Sequence, residues 1–199
     1  MTDCYLPRLG GIELHVHDLS AGQRARGHHV DVLTTTPGDR GDGVRRFARH
    51  RDAAQALDDL LARGRYDVVH AHLSVWSPLA VCAGQAAARH GTATLVTVHS
   101  MWSGLGPLPR WAVPVLGAAR WPVVWSAVSS AAADQVAEAL GGETPVLIAP
   151  LGVDVDHWRG TPTRSGDRAV TIASVLRFAP RKQPLPLLRA LREMRALVP

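Results

Sequence analysis

Cysteine is scarce in this chain, with only Cys4 and Cys82 among 199 residues. Two cysteines so far apart do not form the network of bridges that holds small secreted domains together. Hydrophobic residues make up 46% of the chain, which is enough to bury an apolar core. We therefore expect a core-stabilised protein in a reducing compartment, and so a cytoplasmic location.

Lysine is nearly absent, because Lys182 is the only one, and the formal net charge of +5 comes almost wholly from arginine. The arginines are scattered, with no compact basic run, no zinc-finger spacing and no alternation of basic and aromatic residues. This pattern argues against a nucleic-acid partner. It leaves at most a weak attraction to anionic surfaces.

Long hydrophobic runs are missing as well. The longest uncharged stretch, residues 68–88, contains two histidines, a proline and a glutamine. The tryptophan-rich segment 102–125 is broken by two arginines and four prolines. Neither stretch is apolar enough to be a membrane-spanning helix.

Two adjacent glycines, Gly10 and Gly11, stand where a proline-containing loop turns into a predicted helix. Glycine permits backbone torsions and close approaches that side chains forbid. The first turn of a helix also leaves N–H groups free at the positive end of its dipole, which suits a phosphate group. The pattern favours a phosphate-binding turn, and a plain tight turn is the alternative.

Predicted strands and helices alternate along residues 1–150, and this predicts a Rossmann-like α/β fold with a doubly wound parallel sheet. A first strand has only residues 1–4 available, so we expect it to be incomplete. The predicted strands thereafter are 28–35, 44–48, 65–72, 92–99, 123–128 and 145–149, and the predicted helices are 12–26, 52–62, 78–89, 107–119 and 131–140.

Residues 151–168 interrupt this alternation with glycine, proline, aspartate and threonine, and they predict an interdomain linker. A strand at 169–176 and a helix at 185–197 then predict the first βα unit of a second Rossmann-like domain. One such unit cannot bury both of its faces, so we expect residues 169–199 to be the start of an incomplete domain.

Polar residues end several predicted strands, at the edge where open α/β sheets bind ligands. His70 and His72 lie two residues apart in one strand, so they share a face. His99 and Ser100 follow the next strand, and Ser129 follows a later one. A neutral imidazole at His99 suits a hydroxyl group or a developing charge. For each histidine, a hydrogen-bonded structural role is the alternative.

A metal site made of His70, His72 and His99 would point to a metal-dependent hydrolase. No carboxylate accompanies these histidines in the pattern, so we predict no metal. His15 and His17 lie in a predicted helix, where residues two apart face different ways. We interpret them as surface or subunit-facing residues.

Arg177 and Lys182 lie five residues apart in a predicted turn that contains Pro180. An arginine fork and a lysine point charge at this spacing can converge on a diphosphate group. The only lysine of the chain is part of this pair. A solvated basic turn is the alternative.

Seven different short motifs lie at the predicted turns and strand ends: PRLGGIE at 7–13, RGHHVDVLTT at 26–35, YDVVHAH at 66–72, TVHS at 97–100, AVSS at 127–130, PLGVD at 150–154 and RFAPRK at 177–182. Their order and spacing resemble the GT-B glycosyltransferases of family 4. The resemblance implies a retaining transferase that moves a sugar from a nucleotide diphosphate sugar to an acceptor. It also implies a cleft between two Rossmann-like domains and no cofactor or required metal.

By this resemblance, His99 is the catalytic residue near the transferred sugar. Gly10 and Gly11 approach the donor diphosphate, and Arg177 and Lys182 neutralise it as it leaves. Segment 102–125 is expected to face the acceptor, which would be a lipid, a saccharide or a small metabolite, with peripheral contact at the inner face of the membrane as a hypothesis. The residues expected to line the acceptor side or the cleft are Glu13, His70, His72, Ser100 and Ser129.

The chain departs from the family pattern at Leu176, Gln183 and Leu151, where the family usually has glycine, glycine and asparagine. The glutamate-rich donor motif of the family lies further downstream than residue 199. We therefore expect residues 1–150 to be the acceptor-side domain, and we expect the chain to lack transfer activity unless a separate chain supplies the rest of the donor domain. The alternative is a non-catalytic module that binds a sugar or a partner.

Overall fold

The structure is a computed structural model, and it describes residues 1–102, 113, 116–160, 172–176, 178 and 182–197. The chain divides into two compact units, Met1–Asp154 and Val155–Pro199. Within the described ranges, every helix is too short or too polar to cross a bilayer.

The first unit alternates strands with helices, as the sequence predicts, and its sheets are parallel. The predicted α/β fold is therefore confirmed. Its elements are α1 Gly11–Ala25, β1 Val32–Thr34, β2 Val44–Arg46, α2 His50–Ala62, β3 Val68–Leu73, α3 Pro78–His90, β4 Ala93–Val98, a 3₁₀ turn Ala118–Arg120, β5 Val124–Ala127, α4 Ser130–Ala139 and β6 Val146–Ile148.

The strands form a two-stranded sheet, β1-β2, and a four-stranded sheet in the order β3-β4-β5-β6. Thr2 lies between the two sheets and makes parallel bridges to Thr34 and His72. The Thr2 N–H donates to the Leu33 carbonyl at 3.1 Å, and the His72 N–H donates to the Met1 carbonyl at 2.9 Å. The first residues of the chain therefore link the two sheets by isolated bridges, within the segment 1–4 where the sequence predicts an incomplete first strand.

The core is built from the inner faces of the strands and from apolar stripes on the helices. The buried residues of α2 are Ala53, Leu57, Leu60 and Leu61. Trp125 is 3% exposed and stacks on Trp121 with ring centroids 6.2 Å apart. Both tryptophans therefore pack in the core. In this part of segment 102–125 they do not form a membrane-facing surface.

Two strand predictions require correction. The strand predicted at 28–35 is limited to β1. Arg24 donates to the Val30 carbonyl from Nε at 3.1 Å and from Nη2 at 2.7 Å, so this carbonyl is not paired with a neighbouring strand. In the second unit, residues 172–176 belong to no strand, although the sequence predicts one at 169–176. A strand requires a paired neighbour, and no strand is described in this unit.

The second unit contains two described helices, α5 Val155–Trp158 and α6 Pro184–Leu197. The predicted helix at 185–197 is therefore confirmed. Most of the helix predicted at 107–119 lies outside the described residues.

Candidate functional site

The glycine turn begins α1, as predicted. Gly10 is the extended residue before the helix and Gly11 is its first residue. A side-chain carbon at Gly10 would lie 2.3 Å from Glu13 Oε2, whereas one at Gly11 would have nothing within 4 Å. The Glu13 side chain therefore folds back over Gly10, and the space beside Gly11 stays open.

Glu13 is only 4% exposed, although it carries a carboxylate. Arg8 Nε lies 3.0 Å from Glu13 Oε1. A carboxylate in the first turn of a helix also interacts favourably with the positive end of the helix dipole. Gly10 thus makes room for an internal anion, and Gly11 is the glycine that an external phosphate group can approach.

Three histidines meet at the carboxyl ends of β3 and β4, and we call His15, His72 and His99 the edge cluster. His72 Nδ1 lies 3.0 Å from His99 Nε2. The ring of His15, on α1, has its centroid 5.8 Å from that of His72 and 5.4 Å from that of His99. The interpretation of His15 as a surface residue is therefore wrong, since its position on α1 turns its ring toward the strand ends.

Burial determines the charge of the edge cluster. Burial, with a smaller repulsion from His15, lowers the pKa of His99 to about 4. Burial also lowers the pKa of His15 and holds the pKa of His72 well below its usual value. All three imidazoles are therefore neutral near pH 7, and each can both donate and accept a hydrogen bond.

His70 belongs to a different group, although it shares a face with His72, as predicted. His70 Nε2 lies 2.7 Å from Thr97 Oγ1, which lies 2.7 Å from Ser126 Oγ. The Ser126 hydroxyl donates to the Val96 carbonyl at 3.5 Å. We call His70, Thr97, Ser126 and the Val96 carbonyl the buried polar chain.

The two short contacts of this chain can each run in either direction. His70 Nε2 donates to Thr97 or accepts from it according to the tautomer of the ring. Burial lowers the pKa of His70 to about 3, so the neutral ring is retained. His70 is therefore a neutral hydrogen-bonding residue inside the sheet.

The remaining predicted site residues are Ser100, Ser129, Arg177 and Lys182. Ser129 caps α4 by accepting a hydrogen bond from the Ala132 N–H at 3.3 Å. Ser100 follows β4 and is half-buried. Lys182 is exposed and precedes α6 in the second unit, and Arg177 lies outside the described residues. Their assignment to a diphosphate stays a prediction.

Sequence reasoning missed three residues of these groups. His15 could have been found from its place one turn after the glycine pair, since that end of α1 faces the ligand edge. Ser126 is the polar residue of the otherwise apolar β5, and Thr97 is one of two threonines in β4, whereas buried parallel strands are usually apolar throughout. Both are paired across β4 and β5 in the sheet register.

Comparison with known proteins supplies the family. The profile of Glycosyltransferase Family 4 matches residues 9–157, which include the glycine turn and the edge cluster. A search of curated proteins finds no match. The matched region covers most of the chain, and its parallel α/β architecture agrees with the fold described above. The chain therefore belongs to glycosyltransferase family 4.

Proposed function

We propose that the protein is a retaining glycosyltransferase that moves a sugar from a nucleotide diphosphate sugar to an acceptor. Family membership provides the reaction class. The observation that carries the proposal is the position of His99, at the carboxyl edge of the sheet and 5.4 Å, between ring centroids, from His15 of α1. Ligands of α/β sheets bind at this edge.

A neutral His99 suits the chemistry of sugar transfer. As the bond to the leaving group breaks, the sugar ring gains positive charge, so a cation beside it would raise the barrier. Burial keeps His99 uncharged near pH 7, with its pKa at about 4. The imidazole can then hold a sugar hydroxyl by a hydrogen bond without adding positive charge.

The leaving diphosphate needs positive partners elsewhere. The open space beside Gly11 would allow its backbone N–H, at the positive end of α1, to approach a phosphate oxygen. Lys182 would neutralise the diphosphate, together with Arg177, as the family resemblance implies. The acceptor is proposed to be a lipid, a saccharide or a small metabolite.

The test uses the full chain, alone and then combined with a donor half supplied as a separate chain, with a panel of UDP-, GDP- and ADP-sugars. Donor binding is measured by saturation-transfer NMR, nucleotide release by chromatography and the anomeric configuration of the product by NMR. We expect one nucleotide class to bind and to be released in the combined form only, with the configuration retained. An inverted product would contradict the retaining mechanism, and a panel in which no sugar nucleotide binds would contradict the proposal.

His99→Ala is the variant of interest, and His17→Ala is its matched control on the exposed side of α1. Loss of a polar group that acts in the transition state typically lowers turnover by about 10²–10³-fold. We expect that loss for His99→Ala and none for His17→Ala. Saturable sugar binding without nucleotide release would favour the binding-module alternative.

A further inference from the structure

We infer that Trp76 is an acceptor-binding residue whose indole face stacks against the ring of a saccharide acceptor. This inference rests on the proposed function, because it names the acceptor class of the same site. The proposed function leaves a lipid, a saccharide or a small metabolite open. The observation that carries the inference is a tryptophan that is 78% exposed and yet stands on a fixed backbone at the ligand edge of the sheet.

Trp76 lies in the turn that joins β3 to α3, three residues beyond the end of the strand. Leu73 of β3 is paired with Val98 of β4, and the His99 N–H donates to the Leu73 carbonyl at 2.9 Å. The two strands therefore end together, and the turns that follow them start side by side at the carboxyl edge. Because the turn after β4 begins with His99, Trp76 belongs to the turn next to it.

Hydrogen bonds hold the turn of Trp76 in one shape. The Ser74 N–H donates to Ser77 Oγ at 2.8 Å, and the Ser74 hydroxyl donates to the Trp76 carbonyl at 3.1 Å. Ser77 is buried, and Pro78, which restricts the backbone before it, begins α3. The backbone thus presents an aromatic ring to solvent in a defined place, so that binding a ligand there costs little ordering of the chain.

The residues that accompany Trp76 on these two turns are apolar or neutral. Val75 and Met101 are both exposed. Burial lowers the pKa of His99 to about 4, so its ring is uncharged near pH 7. Ser100, which follows it, adds a half-buried hydroxyl. The two turns therefore combine an exposed apolar surface with neutral hydrogen-bonding groups.

A sugar ring matches this combination. One face of the ring carries mainly C–H groups, which pack against an aromatic face, and its edge carries hydroxyl groups, which suit neutral donors and acceptors. A lipid tail would use only the apolar residues. A phosphorylated metabolite would need a cation, and the two turns, residues 74–77 and 99–102, contain neither lysine nor arginine. The saccharide is therefore the acceptor class that these turns favour.

The test measures acceptor binding to the full chain without a donor. The probes are methyl glycosides of glucose, galactose and mannose, and vesicles of phosphatidylglycerol represent the lipid class. Saturation-transfer NMR should show one glycoside that binds saturably, with its C–H face closest to the protein. In Trp76→Ala, the dissociation constant should rise about tenfold or more, the usual cost of removing an aromatic anchor. Trp76→Phe should recover most of the affinity, because it keeps an aromatic face.

Trp158→Ala is the matched control, because Trp158 is 74% exposed and lies in the second unit. It should leave glycoside affinity unchanged. Circular dichroism should be unchanged in all variants, since both side chains are exposed. Equal weakening in Trp76→Ala and Trp158→Ala would overturn the inference. A panel in which no glycoside binds would overturn it as well, and so would vesicle binding that depends on Trp76 in place of glycoside binding.

The form combined with a donor half separates this inference from the proposed function. If transfer occurs, Trp76→Ala should raise the KM for the acceptor and leave kcat nearly unchanged. An unchanged KM would overturn the inference and leave the proposed reaction standing. If the wild type releases no nucleotide while Trp76→Ala still weakens glycoside binding, the proposed reaction is contradicted and the inference stands.

Discussion

The buried polar chain and the edge cluster begin two residues apart on the same strand, yet they use histidine in opposite ways. In the buried polar chain, hydrogen bonds within the protein join His70 to Thr97, Thr97 to Ser126 and Ser126 to the Val96 carbonyl. In the edge cluster, His72 and His99 share one contact, and His99 Nδ1 has no partner in the described part of the chain. A completed network serves the fold, whereas an incomplete one at a ligand edge is available for a ligand.

The largest effect on stability is expected in the buried polar chain. Thr97→Val keeps the shape of a side chain that is 3% exposed but removes its hydroxyl. His70 Nε2 and Ser126 Oγ then both lose Thr97 Oγ1 as a hydrogen-bond partner, and each buried unpaired group costs about 1–3 kcal/mol. We expect the free energy of unfolding to fall by about 2–4 kcal/mol in urea titrations.

Thr97→Ser is the control, because it keeps the hydroxyl and should cost only about 1 kcal/mol for the lost methyl group. A double-mutant cycle with Ser126→Ala sharpens the result. The loss caused by Ser126→Ala should be smaller once Thr97 is already valine, since the contact is then absent. Additive losses would show that the two hydroxyls act independently and that the buried polar chain is not an energetically coupled unit.

Much of this fold was predictable from the sequence, because the spacing of apolar residues indicates which segments are strands and which are helices. The described part of the strand predicted at 169–176, residues 172–176, is not a strand, since a strand requires a partner that local sequence does not specify. The prediction of a longer β1 is wrong for a similar reason. The Arg24 side chain donates to the Val30 carbonyl, which a neighbouring strand would otherwise use.

The candidate site was only partly predictable. His72 and His99 could be placed at the carboxyl edge from their strands alone, and the structure brings them into contact. Placing His15 beside His99 required the rotation of α1 about its axis relative to the sheet, and the apolar periodicity of the helix does not give that rotation. Thr97 required the register of neighbouring strands, because threonine in a strand otherwise looks like an ordinary β-former.

An intermediate effect is expected at the glycine turn of the carboxyl edge. In Gly10→Ala, the new methyl group would meet the Glu13 carboxylate, which would have to move and lose its place beside Arg8. Glu13 is flexible and the Arg8 side chain is mostly exposed, so the loss should be limited to about 0.5–1.5 kcal/mol, the range for an ordinary hydrogen bond. Thermal and urea unfolding would measure it.

Gly11→Ala is the matched control, since its side chain enters open space at the first residue of α1. Alanine is a better helix former, so stability should be unchanged or rise by up to about 0.5–1 kcal/mol. If both variants lose stability equally, the turn has no room for side chains at either position, and the assignment of Gly10 to Glu13 is wrong.

The smallest effect is expected for His15→Ala, and it tests the comparison most directly. His15 is half-buried and makes ring contacts, while alanine improves the helix propensity of α1. These effects oppose each other, so the free energy of unfolding should change by less than about 1 kcal/mol. A loss larger than that of Thr97→Val would mean that the edge cluster holds the fold together as the buried polar chain does. A negligible loss would mean that the chain keeps this histidine at the ligand edge for a reason other than stability.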